Sequence, residues 1–132
     1  MRRRTEAVHP GRNADPSDFL PLPPLPYHVL LALAEEPRHG WGIIKAIENL
    51  AGVGSVPSSG SLYVAIARLQ ERGLIRELRP SPREPDDRRR VYELTPLGRR
   101  VATLESARLA DLVVAARRWL GPLRPGREGR AP

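Results

Sequence analysis

Fifteen prolines divide this 132-residue chain more firmly than any other feature. A proline removes a backbone donor and blocks a helix interior, so regular structure belongs in stretches that lack it. Three long gaps lie at 38–56, 58–79 and 97–121, whereas prolines crowd 10–26, 80–85 and 122–132. The length allows one compact core. Residues 1–22 and 121–132 are rich in proline, glycine or charge and read as disordered tails, with Phe19 and Leu20 the one pair in the first tail able to dock. Ordered structure is therefore expected within 23–120, as a domain over 23–95 and a long helix over 96–120.

Periodicity fills the gaps. From Pro26, Tyr27, Leu30, Leu31 and Ala34 fall at i, i+3, i+4 and i+7 until Pro37 ends the run. A second helix starts near Gly40, places Ile43, Ile44, Ile47 and Leu50 on one stripe, and closes at Gly52 and Gly54. A third starts at Ser58 or Ser59, either able to cap it, turns Leu62, Ile66 and Leu69 inward, and stops at Gly73. Leu74–Arg79 and Val91–Leu94 read as a two-stranded ribbon. Thr95 then caps a helix with Pro96 at its first position, running to about Leu120.

This is a mainly α (α+β) chain with the element order of a winged helix-turn-helix: three N-terminal helices, a two-stranded wing and a long C-terminal helix. In that arrangement the third helix enters the major groove of DNA. Such a helix needs an apolar face for anchorage and an opposite face of small or polar side chains, since bulk there holds the backbone off the base edges. Opposite Leu62, Ile66 and Leu69 stand Ser61, Val64, Ala65, Arg68 and Arg72. The first turn, Ser58, Ser59 and Ser61 included, offers free N–H groups and a positive dipole end to a phosphate. Arg68 has the planar fork that pairs with guanine; its plainer reading is a solvated helix arginine.

The net charge of +7 supports a polyanionic partner, nucleic acid ahead of an anionic membrane. Summed by segment, it is +1 over 1–25, zero over 26–78, +3 over 79–100 and +3 over 101–132. Between the strands lie three prolines and, with Arg79, five arginines, of which Arg88, Arg89 and Arg90 are consecutive. A charged hairpin tip is usually only solvated, but beside a groove-reading helix these three would clamp phosphate or enter the minor groove.

Three motifs carry a family resemblance. His39-Gly40-Trp41-Gly42-Ile43-Ile44 comes first, then Ser59-Gly60-Ser61-Leu62-Tyr63 with Ile66, Arg68, Leu69, Gly73, Leu74 and Ile75. Arg89-Arg90-Val91-Tyr92-Glu93-Leu94-Thr95-Pro96-Leu97-Gly98-Arg99 completes the set. In this order, spanning about 26–120, they resemble the PadR-type transcriptional regulators, in the subgroup with a short C-terminal part. The departures are Trp41, Gly42 where an acidic residue is common, and Ser61 for threonine. The resemblance implies a homodimeric, operator-binding repressor that a small molecule releases, with dimer contacts on the last helix. It further implies that Tyr63 and the preceding serines touch phosphate and that Arg88–Arg90 reach a neighbouring groove.

The last helix supports the dimer independently. Leu97, Val101 and Leu104, then Leu109, Leu112, Val113, Ala116 and Leu120, form an apolar stripe longer than three short helices can cover. A two-fold partner would cover it and set the reading helices roughly 34–36 Å apart; the other reading folds the helix back on its own domain. Tryptophans at helical spacing usually pack in cores or interfaces. Since effector pockets of the resembled family lie near the dimer axis, Trp119 is also a candidate to stack on a small aromatic effector.

Other chemistries find no footing. Cysteine is absent, which removes disulfides, thiolate zinc sites and a Cys nucleophile and favours a reducing cytoplasm. His9, His28 and His39 lack metal spacing, and His39 suits a helix cap. Gly52-Val53-Gly54 follows a helix and precedes Pro57, unlike a dinucleotide loop. No GxSxG elbow exists, and Asp86-Asp87 lies on a hairpin tip. The longest apolar run, Val29 to Ala34, is far short of the roughly 20 residues of a membrane span. The expectation is therefore a cytoplasmic, non-enzymatic DNA-binding regulator without cofactor or metal. A winged-helix module for protein–protein contact is the alternative, and general RNA or nucleic-acid binding is a third reading.

Overall fold

A computed structural model describes residues 14–78 and 90–124. Helix α1 spans Pro24–Glu35, strand β1 Arg38–His39, α2 Gly40–Ala51, α3 Ser59–Glu71, β2 Ile75–Glu77, β3 Val91–Leu94 and α4 Pro96–Leu120. Short 3-10 turns cover Pro16–Phe19 and Val53–Ser55.

Helix α1 is the central element. It touches α2, α3, α4 and β3, so burial runs around it and takes in Val29, Leu30, Ala32 and Leu33. The expected stripe of Tyr27, Leu30, Leu31 and Ala34 is corrected accordingly: only Leu30 is fully buried, and the other three are half-buried. Ile43, Ala46 and Ile47 of α2 and Leu62, Ile66 and Leu69 of α3 close on α1. Leu50, expected inward, stands 55% exposed in the last turn of α2, beyond the layer formed by Ile43 and Ile47. The helix ends where Gly52 takes φ +92°, a conformation that favours glycine.

The sheet has three strands rather than two. Once Pro37 has ended α1, Arg38 and His39 are extended and pair antiparallel with β3, Arg38 opposite Tyr92 and His39 opposite Val91. On its other edge β3 pairs with β2, Ile75 opposite Leu94 and Glu77 opposite Tyr92, giving the order β1-β3-β2. The Arg38 guanidinium donates to the Ala32 carbonyl and to Glu35, each at 2.7 Å, and so satisfies the end of α1. Strand β2 is shorter than the expected Leu74–Arg79, although the Leu78 N–H still donates to the Val91 carbonyl at 2.8 Å.

The first tail is also corrected. Of residues 1–22, the described part from 14 onward is packed as a strap across the helices. Asp15 caps its turn by accepting the Ser17 N–H at 2.9 Å, and Leu22 joins the core at 8% exposure. The Leu22 N–H donates to Glu105 of α4 at 3.2 Å, and the guanidinium of Arg72, the C-cap of α3, lies 4.6 Å from the Phe19 ring centroid. Glu105, 1% exposed, also accepts two hydrogen bonds from Arg108, at 2.7 and 2.8 Å. These bonds hold its carboxyl below the ordinary glutamate value against the opposing effect of burial.

A depressed carboxyl contributes stability that is present above its unfolded value, about 4.3, and lost as pH falls through the folded value. Glu105→Gln should therefore flatten the acid side of the stability profile. It should also lower neutral-pH stability by about 1 kcal/mol, the difference between charge-assisted and neutral hydrogen bonds. Urea midpoints from pH 3 to 7 measure both, and parallel profiles for the two proteins would refute the role of Glu105.

Candidate nucleic-acid interface

Helix α3 is built to present one face. Ser58 is its N-cap and accepts the Ser61 N–H at 3.1 Å, while the Leu62 N–H bonds the Ser58 carbonyl at 2.9 Å. Helix geometry leaves the N–H groups of Ser59 and Gly60 without an intrahelical acceptor, aimed outward at the positive end of the dipole. Burial of Leu62, Ala65, Ile66 and Leu69 turns Ser59, Ser61, Val64, Ala67, Arg68 and Arg72 to the surface. Ala65, expected on the outward face, is instead 7% exposed and belongs to the anchor. Ala67 was missed; its signal is the small side chain three residues beyond Val64.

The serines divide their work. The Ser58 hydroxyl caps the helix and donates to Ser61 Oγ at 3.1 Å, whereas Ser59 stands exposed at the first helical position. Tyr63, 40% exposed, lies over Gly40, where an added methyl group would collide with its hydroxyl. The first two sequence motifs thus meet in space, and the glycine of one lets the tyrosine of the other settle against the start of α2. That start is capped by His39, whose Nδ1 accepts the Gly42 N–H at 3.3 Å. Trp41 is 63% exposed, with the Lys45 ammonium over its ring, 5.4 Å from the centroid.

Arg68 is exposed, and among the described residues it makes no ion pair. On the wing, Arg88 and Arg89 lie outside the described residues. Arg90 is exposed and sits 3.6 Å from Glu77 across the ribbon, and Arg76 pairs with Glu93 at 2.7 Å. The base of the wing is thus close to neutral, with its strands laced by ion pairs.

The third motif fixes the wing to α4. Thr95 accepts the Gly98 N–H at 2.9 Å and donates to the Gly73 carbonyl at 2.6 Å, while its own N–H bonds the Leu74 carbonyl at 3.1 Å. Gly98 is buried so closely on Leu74 that an added Cβ would fall on the Leu74 carbonyl.

One stripe residue expected at a dimer contact is corrected. Val101 is fully buried in its own domain with Leu97, because the first three turns of α4 pack against α1 and the strap. The same face continues past Glu105 through Leu109, Leu112 and Ala116 to Leu120, and there its own domain stops covering it. Leu104, Leu112, Val113 and Leu120 are 39–74% exposed, and Trp119 is 78% exposed.

A model of the transcriptional regulator PadR-like family matches residues 29–104, more than half of the chain. The chain belongs to the PadR-like family. As a PadR-like protein it belongs to a family of transcriptional regulators. Its fold is shared with a PadR family regulator from Clostridium difficile, at 18% identity, TM-score 0.63 and coverage of 74% of this chain and 98% of that one. A transcriptional regulator from Clostridium thermocellum gives 23% identity, TM-score 0.61 and coverage of 73% and 89%. The regulator BldR from Sulfolobus solfataricus gives 27%, 0.57, 85% and 70%. An uncharacterized 37.1 kDa protein of a Streptomyces fradiae transposon is 43% identical over 84 residues, 64% of this chain; the match spans 22% of that protein's length. Among the described residues no helix is long and apolar enough to cross a membrane, and no group of three acidic or histidine side chains could hold a metal.

Proposed function

We propose that this PadR-like regulator binds a palindromic operator as a cytoplasmic homodimer and represses the genes beside it until a small molecule releases it. In this reading α3 enters the major groove. Ser59, Ser61 and Tyr63 meet phosphate, Val64 faces the base edges and Arg68 pairs with a guanine. Ser58 shapes the first turn as its cap. Arg88 to Arg90 extend to the neighbouring groove and add affinity with little sequence information. The observation that carries the reading is Arg68, exposed and without an acidic partner among the described residues, on a helix whose apolar side chains are spent on anchorage. Trp119 would be covered by the partner subunit or by a planar effector held at the dimer axis.

The test is a binding titration on the DNA upstream of the protein's own gene against a random duplex, over a range of salt. The log–log salt slope should be about 0.9 per phosphate neutralised. Arg68→Ala should weaken operator binding by about 1–3 kcal/mol and leave the random duplex nearly unchanged, whereas Arg89→Ala should weaken both alike. A flat salt response would instead support a winged-helix protein–protein module.

A further inference from the structure

The strap and α3 enclose a half-open cleft of about 630 Å³, within the range of small-molecule sites. One wall is hydrocarbon from the strap and the start of α1, Leu22, Pro23 and Leu25. The other is α3 and its C-cap, with Val64, Arg68 and Arg72 along it. No aromatic side chain lines the cleft, so it offers an occupant aliphatic contact rather than ring stacking. Its polar groups are mostly cationic. Arg68 and Arg72 stand one helical turn apart, and neither pairs with a carboxylate among the described residues. Arg72 is steadied over the Phe19 ring, 4.6 Å from its centroid, and its planar fork of N–H donors suits an anion.

We infer that this cleft binds an amphipathic aliphatic carboxylate, its chain against Leu22, Pro23, Leu25 and Val64 and its carboxylate on Arg68 and Arg72. Apolar walls and paired guanidinium groups each favour one half of such a molecule. A free phosphate would leave the hydrocarbon unused, and a neutral lipid would leave the cations unmet. Because Arg68 and Val64 belong to the face assigned to DNA, an occupied cleft blocks the duplex directly. Only this regulatory consequence rests on the proposed role of α3; the binding site does not.

Octanoate is the probe, titrated calorimetrically into the full-length protein without DNA, with octan-1-ol and inorganic phosphate as controls. Octanoate should bind one site per chain, and both controls at least tenfold more weakly. The Arg68→Ala/Arg72→Ala double variant should lose at least tenfold in octanoate affinity, the scale of a charge-assisted hydrogen bond. Pro23→Asp should do the same by placing a like charge in the cleft; Pro23 is the exposed N-cap of α1, a position where aspartate is favoured, so the variant folds. Melting curves confirm that both variants are folded. No binding of octanoate, equal binding of octan-1-ol or phosphate, or unchanged octanoate affinity in both variants overturns the site. Octanoate binding that leaves duplex affinity untouched keeps the site and overturns the DNA role of α3.

Discussion

Leu112→Glu is expected to turn the proposed homodimer into a monomer and to reduce affinity for the proposed operator about a hundredfold or more, while the domain itself stays folded. Leu112 is 54% exposed within its own chain, so a glutamate there meets water when the subunit is alone. In the proposed dimer it would be desolvated against the apolar stripe of its partner, because a two-fold interface sets the same patch of both subunits face to face. Losing the dimer uncouples two reading helices, and a bivalent hold strengthens binding by about 10²–10⁴ without any new contact. Light scattering after size exclusion reports the mass, and fluorescence anisotropy on a palindromic duplex reports the affinity. An unchanged melting temperature separates this outcome from misfolding. A dimer that persists in the variant would move the interface away from the second half of α4.

Much of this architecture is legible in the sequence because its boundaries are set by local chemistry. Ser58, His39 and Thr95 cap their helices through their own side chains, and Pro96 and Gly52 mark where the chain can enter or leave a helix. The outward face of α3 followed from spacing, apart from the shift of Ala65 into the anchor and the addition of Ala67. What was not legible depended on partners far away in sequence. The segment before Pro24 has the composition of a tail, yet it packs because Glu105, 83 residues later, accepts the Leu22 N–H and Arg72 covers Phe19. Strand β1 is two residues long and exists only because β3 offers it an edge. Val101 obeys the same 3-4 spacing as Leu112 and Ala116; which part of that stripe faces the home domain depends on where α1 and the strap end. The cleft between strap and α3 was invisible for the same reason.

Gly98→Val should be the most destabilising single change outside the central helix, costing on the order of 3 kcal/mol or more. Its cause is the packing of one backbone on another. Overpacking a core ordinarily costs about 1–3 kcal/mol because side chains can shift, but here the added Cβ would land on the Leu74 carbonyl, with Leu94 crowding the same space. That carbonyl already accepts the Thr95 N–H, and Thr95 in turn bonds the Gly73 carbonyl and caps α4 through the Gly98 N–H. Relief of the clash therefore requires α4 to lift from Leu74 and break the two hydrogen bonds that Thr95 makes to the Gly73 and Leu74 carbonyls. The motif Leu94-Thr95-Pro96-Leu97-Gly98, which helped identify the family, is in physical terms a hinge pin between the wing and the helix assigned to dimer contact. Denaturant unfolding of Gly98→Val and of a surface control such as Ala110→Val, on the exposed side of the same helix, isolates the effect. Helix propensity alone favours valine over glycine, so a loss at Gly98 no larger than that at Ala110 would overturn the approach to Leu74 as the reason for glycine.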